Sequence, residues 1–397
     1  MSVGTAFYPR EAELNAHLAW GEWSGYHSAA VYADFHDIEY NAIREAAAVV
    51  DVTPLYKYLV RGRDAGRLLD RIMTRDISKL KVDQVYYTPW CDEDGKMIDD
   101  GTLTRLADSE YRLTAADPCE RWFRMNATGL DAEVEDISDR TAGLALQGRL
   151  SRDVLEEATG QDWTDVRYFR RRVSEIAGVE VDVTRTGYTG DRGYELWMPV
   201  DGALAVWDRL FDVGQRFGIH PCGIRAMDVA RVEAGLLLIE AEYSSSHRAI
   251  AAEQHYSPYE LGFGRLVELG KASPFNGRRA LIAEQRSGGP ARRLVGLELE
   301  WAGIEGMFAK HDLAPAVSPM VHRDPVPVYK EGKQVGRATS ITWGPTIKKM
   351  VGFGSVDKRF EKIGSRLSVE WSVEGERGKV AATVVPMPFL DLERKRT

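Results

Sequence analysis

Two short stretches carry residues whose type and spacing point to chemistry. Residues 185–195 read Arg-Thr-Gly-Tyr-Thr-Gly-Asp-Arg-Gly-Tyr-Glu, a glycine-punctuated hairpin leading into a strand that opens Tyr194-Glu195-Leu196-Trp197-Met198. Alternation along a strand puts Glu195 on the face shared with Trp197 and opposite Tyr194. A carboxylate buried on such a face needs a partner, because unpaired charge in a low-dielectric site is costly. One partner that fits is a cyclic amidine such as the 2-amino-4-oxo edge of a pterin, whose two parallel N–H donors match two carboxylate oxygens. Taken alone, the stretch reads equally as three turn glycines (Gly187, Gly190, Gly193) needing positive φ, ahead of an exposed strand residue. The second stretch is Asp99-Asp100. Paired acids split their pKa values, and strand alternation sends adjacent side chains to opposite faces, so only one reaches a given site. On its own, Asp99-Asp100-Gly101 also reads as a plain turn.

The elements that must position these residues can be read coarsely. Helical spacing marks residues 37–48, with Val49-Val50-Asp51-Val52-Thr53 closing it, and residues 61–72, where Ala65, Leu68, Leu69 and Ile72 recur on one face. Residues 85–90, 102–106 and 111–115 read as strands, and 118–129 as a helix. Strands at 144–147, 180–184 and 194–199 then alternate with helices at 151–158, 202–217 and 222–235. Such alternation predicts compact α+β units rather than one long parallel sheet. Ser287-Gly288-Gly289-Pro290 marks a boundary. Short strands beyond it (294–299, 327–329, 334–341, 350–354, 366–370, 379–385) predict a small β-barrel or sandwich. The expected division is 1–286 for the first region and 291–397 for the second.

A chain of 397 residues carrying a formal charge of −8 lacks the basic stripe of a nucleic-acid-binding surface. Cys91, Cys119 and Cys222 have no CxxC spacing and fit a reducing cytoplasm. No histidine pairing suggests a metal, and no apolar run approaches a membrane span.

The hairpin resembles the Gly-Tyr-Thr-Gly-Glu-Asp-Gly-Phe-Glu signature of the glycine-cleavage T-protein (aminomethyltransferase) family. The likeness extends along most of the chain. Arg44 with Val50-Asp51-Val52-Thr53, Gly95-Lys96-Met97-Ile98-Asp99-Asp100, Leu144-Ala145-Leu146-Gln147-Gly148 and Arg231-Val232-Glu233-Ala234-Gly235 each resemble a family block. So do Phe275-Asn276-Gly277-Arg278-Arg279-Ala280-Leu281, Gly336-Arg337-Ala338-Thr339-Ser340 and Pro345-Thr346-Ile347-Lys348-Lys349, in the same order. The resemblance implies an α+β fold: a three-domain ring of two ferredoxin-like domains and a C-terminal β-barrel around a folate. It implies tetrahydrofolate as cofactor, Asp100 as catalytic acid, and Glu195, Tyr188, Tyr87 and Arg231 as cofactor-binding residues. A carboxylate near the folate N5/N10 region can stabilise developing positive charge or accept the proton that N5 sheds.

The departures from the family pattern concern the reacting end. Met227 stands where the family has an arginine, Thr114-Ala115-Ala116-Asp117 replaces a strand end that supplies an asparagine, Arg149 replaces a proline, and Ile239 a tyrosine. The scaffold and pterin anchor are kept while charge, donor and size change together. These changes lead to the expectation of a tetrahydrofolate-dependent methyltransferase or demethylase. It would take a methyl group from a small S-, N- or O-methyl donor and yield 5-methyltetrahydrofolate. The alternatives are the aminomethyltransferase of glycine cleavage and a non-catalytic folate-binding accessory protein. Trp20, Trp23, Tyr26, Tyr32, Trp90 and Trp197 could form a cage for an onium donor or simply pack. The expected partners are the small-molecule methyl donor and, as an option, a second copy in a homodimer, without nucleic acid or membrane, in the cytoplasm.

Overall fold

Alternation of polar and apolar side chains along two sets of strands explains most of the architecture. In the strand Glu110–Ala115, Tyr111, Leu113 and Ala115 enter one apolar core while Arg112 and Thr114 point the other way. Register carries that polar face across the sheet: Thr104 lies opposite Arg112, Thr102 opposite Thr114, and Tyr87 opposite Thr102. In the strand Gly193–Pro199, Tyr194, Leu196 and Met198 enter a second core, while Glu195 and Trp197 face away from it. Arg112 reaches across to Asp182 and its guanidinium lies 5.0 Å from the Trp197 ring. The two sheets therefore turn their polar faces toward each other.

In the computed structural model, residues 2–397 are described. The first sheet has six strands in the order Arg171–Ile176, Val179–Thr184, Gly193–Pro199, Thr141–Gln147, Ala47–Asp51, Ile219–Pro221. The last joins in parallel and the rest are antiparallel. The second sheet orders Val85–Cys91, Met97–Ala107, Glu110–Ala115, Tyr56–Arg61 and Glu133–Asp136. The chain leaves the first sheet after Asp51, builds the second, and returns at Thr141 beside the strand it left. Helices cover the apolar faces. Ala203–Gly214 buries Val206, Trp207, Leu210 and Val213 at helical spacing, and Ala65–Ile72 buries Leu68, Leu69 and Ile72.

The third unit is a closed six-stranded barrel: Arg292–Leu299, Lys349–Asp357, Lys333–Gly344, Val326–Lys330, Arg366–Val373, Glu376–Val385. The mixed α+β class with a terminal barrel is thus as expected. Three local expectations change. The helix expected over 37–48 stops at Glu45 and Ala47–Asp51 is a fully buried strand, because the apolar run Ala47-Ala48-Val49-Val50 fills the centre of a sheet. Residues 56–61, for which no element was expected, are a strand: Tyr56, Tyr58 and Val60 face one core, with Leu59 breaking the polar positions Lys57 and Arg61 between them. The helix Trp301–Ala309 was not expected, since its two glycines lower helix propensity; Ile304 and Met307 hold it on the barrel.

The helix Tyr8–Leu14 carries Glu11, whose side chain is buried. One oxygen accepts from the Tyr32 hydroxyl at 2.8 Å. The other has no partner, and neither does the Oδ2 of the buried Asp51 nearby. Burial first, and then Asp51, push the Glu11 carboxyl up to about 8. A protonated Glu11 lets the two acids share the interior. The folded value lies above the unfolded one, so this contribution to stability is complete below about 4.5 and lost as pH rises through about 8. Melting temperature should therefore fall progressively over that interval, and Glu11→Gln should flatten the fall in a pH series of thermal melts.

Candidate active site

The glycine-punctuated hairpin is built around one side chain. Gln147 is buried at the end of the strand Thr141–Gln147, and its amide donates to the carbonyls of Thr186 and Tyr194 at 3.3 and 3.4 Å. Its carbonyl oxygen accepts from Thr189 at 2.9 Å. A Cβ on Gly187 would lie 2.0 Å from Gln147, and one on Gly193 2.3 Å. These two glycines are therefore needed for close approach and not, as turn chemistry would have it, for positive φ. Gly190 alone of the three has a left-handed backbone, φ 72°, and a Cβ there would meet Ala234 at 2.4 Å. The hairpin, the Leu-Gln-Gly strand end and the Arg-Val-Glu-Ala-Gly helix end thus fit against one another.

That packing aims Glu195. Its Oε2 accepts from the Thr186 hydroxyl at 2.6 Å, leaving Oε1 and a further lone pair for a ligand. Burial raises its pKa, opposed by Thr186 and by the Arg112 charge. Glu195, Tyr188, Tyr87 and Asp100 are each walled in by protein yet keep accessible surface. These half-buried side chains lie at the polar space between the sheets.

Asp99 and Asp100 sit inside the strand Met97–Ala107, not in a turn. Gly101 follows them because the Thr114 carbonyl would lie 1.9 Å from a Cβ. Asp99 is fully buried on the far face, where its Oδ2 accepts the backbone amides of Ala116 and Asp117 at 3.1 and 3.0 Å. It positions the strand end. Asp100 faces the inter-sheet space, with Tyr87 donating to Oδ2 at 2.6 Å and Tyr243 donating to Oδ1. Burial raises the Asp100 pKa, and the two phenols, Tyr243 first, pull it back. Both tyrosines are held well above their usual pKa by burial and by the Asp100 charge, so they remain donors.

The other expected residues divide. Tyr188 donates to the Leu237 carbonyl and turns its half-buried ring into the central cluster. Arg231 has no accessible surface, so it presents nothing to a ligand. Its guanidinium is engaged by Asp228 at 2.8 Å, Glu242 at 2.8 Å, the Leu236 carbonyl at 3.2 Å and Ser340 at 2.7 Å. It ties the helix Ile224–Glu233 to the barrel. The aromatic residues do not form a cage. Trp90 and Trp197 belong to different cores, Trp20 pairs with Tyr8, and Tyr32 is bonded to Glu11. Trp23 alone of the paired strands Trp20–Trp23 and Tyr26–Ala29 packs against the central cluster, with Ala116 and Tyr188. No metal-ligating cluster occurs among the described residues, and no helix there is long and apolar enough to cross a membrane.

Tyr243, Thr186 and Arg112 were missed from sequence. Tyr243 follows Gly235 in a segment without periodicity, so no face could be assigned to it. Thr186 was within the signature, and its position two residues from Thr184 on the Glu195 side was the available signal.

A polar space between two α+β sheets, bordered by a barrel, presents one carboxylate from each sheet and is the candidate small-molecule site. Comparison with known proteins gives the family. Residues 7–271 match the GCVT N-terminal domain, and residues 292–391 match the glycine cleavage T-protein C-terminal barrel domain. The aminomethyltransferase of Geobacillus thermodenitrificans is 33% identical over 390 residues, covering 97% of each chain. That of Geobacillus kaustophilus is 34% identical over 373 residues, covering 93% of each. The crystal structure of glycine cleavage system aminomethyltransferase T from Bartonella henselae superposes with a TM-score of 0.81 over 98% of this chain and 99% of that one, at 23% identity. The chain belongs to the glycine cleavage T-protein family.

Removing the Tyr243 hydroxyl takes away a bond that favours the Asp100 carboxylate, so Tyr243→Phe should raise the Asp100 pKa further. The acid limb of the pH–rate profile should move to higher pH, while Tyr40→Phe, whose hydroxyl bonds Glu233 instead, should leave that limb in place.

Proposed function

We propose that this chain transfers a one-carbon unit to tetrahydrofolate, with Glu195 holding the pteridine and Asp100 serving the reacting nitrogen. The observation that carries this reading is the pair of carboxylates on facing polar surfaces, one supported by Thr186 and Arg112, the other by two phenols. The Glu195 oxygens match the 2-amino and N3 donors of the pteridine edge. When bound, the folate supplies a nucleophilic nitrogen that must lose a proton on accepting the unit. Asp100 is suited to that proton: burial makes it a stronger base than an exposed carboxylate, while the bonds from Tyr243 and Tyr87 favour its charged form. Its charge also opposes the cation that develops beside it. Tyr188 and Phe263 border the space, Phe263 edge-on to Tyr87 at 5.8 Å, and limit water there.

The shared name of the relatives favours an aminomethyl group as the unit transferred. A second reading, methyl transfer from a small S-, N- or O-methyl donor, is supported by three features of the donor side. Met227 and Ile239 leave that region apolar, and Ala116 contributes only its backbone amide, to Asp99. Tyr243 adds a phenol that donates to Asp100.

Asp100→Asn should lower turnover by about two orders of magnitude or more while leaving folate affinity nearly unchanged by calorimetry. Glu195→Ala should instead weaken folate binding by about ten- to a hundred-fold, as expected for lost hydrogen bonds to a charged group. Reconstitution with an aminomethyl-lipoyl carrier, set beside a panel of onium, methylamine and methoxyaryl donors, separates the two donor readings. Full activity of Asp100→Asn with the productive donor would remove Asp100 from its role.

A further inference from the structure

Residues 235–251 follow the helix Ile224–Glu233 without a helix or strand of their own, yet they deliver Tyr243 to Asp100. Chain of this kind keeps a side chain in place only through discrete anchors. Its first part is tied down by Glu242, which accepts from Arg231 at 2.8 Å and from the Leu238 amide at 2.7 Å. Beyond Tyr243 it lies against the start of the Asp100 strand. The Ser246 amide donates to the Met97 carbonyl at 2.7 Å, and the His247 ring stands edge-on to Trp122 at 5.3 Å.

The remaining anchor is an ion pair. Arg248 bonds Asp117, and its Nη1 lies 3.8 Å from Glu240. Arg248 is exposed, and a pair between two exposed groups would hold little. Asp117, however, is buried, and among the described residues Arg248 is the one cation paired with it. Without Arg248 it is an uncompensated carboxylate beside Asp99 and Glu240. Asp117 is also fixed from behind, since its amide donates to Asp99 Oδ2 at 3.0 Å. The bonds therefore close a circuit. It runs from Asp99 to the Asp117 amide, from the Asp117 carboxylate to Arg248, back along the segment to Tyr243, and from that phenol to Asp100. The two ends of the circuit are adjacent residues of one strand.

We propose that Arg248, through its ion pair with Asp117, is a positioning residue for the reaction, holding the segment that lays the Tyr243 phenol on Asp100. The chemical weight of that placement rests on the reading of Asp100 as the group that serves the folate nitrogen. The placement itself can be tested without substrate.

Titratable groups facing Asp100 are Tyr87, Tyr243, Tyr188 and Asp99, and those facing Asp117 are Arg248, Glu240, His247 and Asp99. Carbon-13 titration of the full chain labelled at its aspartate carboxyls, with the Asp100 signal assigned through Asp100→Asn, follows the one group of interest. Tyr243→Phe should raise the Asp100 pKa, and Arg248→Ala should raise it by at least half as much. Arg248→Lys should restore most of the original value. Arg248→Ala added to Tyr243→Phe should raise it no further, because the bond it protects is already gone. Asp117→Ala separates position from charge: deleting a nearby anion would by charge alone lower the Asp100 pKa, whereas release of the segment should raise it. A fall in Asp117→Ala, or a further rise in the double variant, would show that Arg248 acts through its charge and would overturn the inference. So would an Arg248→Ala protein that melts at lower temperature with the Asp100 titration unmoved, the mark of a purely structural role. With the productive donor, the acid limb of the pH–rate profile should move up in both Arg248→Ala and Asp117→Ala while KM for folate stays near its original value. Absence of folate binding would count against the folate reading and leave the carboxyl titration to decide the positioning.

Discussion

The fit of Gln147 between Gly187 and Gly193 is the constraint on which the site depends. A side chain reaching from one strand fills the space left by two missing Cβ atoms on the next turn, and its amide satisfies backbone carbonyls that the turn would otherwise leave buried and unpaired. Any larger residue at either glycine would displace the amide, and with it Thr186, the group bonded to Glu195. The geometry around Glu195, the proposed pterin anchor, is therefore set by sterics at Gly187 and Gly193 before any charge is considered.

The two carboxylates that face the inter-sheet space are prepared in opposite ways. Glu195 has a single hydroxyl partner and a guanidinium neighbour, which leaves acceptor capacity free. Asp100 has one phenol on each oxygen, which supports its charge and still leaves a lone pair to take a proton. Adjacent Asp99 is spent on the backbone amides of Ala116 and Asp117. The difference between neighbouring acids comes directly from the two-residue period of a strand.

How far the sequence was legible depended on the range of the requirement. Glycines that exist for close approach leave a fixed spacing, so Gly187, Gly190 and Gly193 were visible as a motif, although the reason for two of them was not. The alternation around Glu195 and Asp100 placed both side chains on faces, and the terminal strands announced a barrel. Tyr243 was invisible for a physical reason: it lies in an irregular stretch, where no period relates a residue to a direction, and its meeting with Asp100 spans 143 positions. Arg231 misled in the other direction. A motif arginine reads as a ligand group, yet Asp228, Glu242 and Ser340 enclose it, and only the barrel's approach reveals that. Leu59 obscured the strand at 56–61, because an apolar residue between Lys57 and Arg61 interrupts the alternation by which strands are recognised.

Glu233 accepts from Tyr40 and from Arg44 at 2.9 Å on the sheet side, and from the backbone amide of Thr346 at 3.2 Å on the barrel side. One carboxylate is thus the common joint of parts that topology would let one regard as separable. A foreign barrel grafted at residue 292 would have to bring an amide and a hydroxyl to the same point, or strand a buried anion beside a cation that cannot neutralise it alone. The barrel and the sheets are therefore not interchangeable modules.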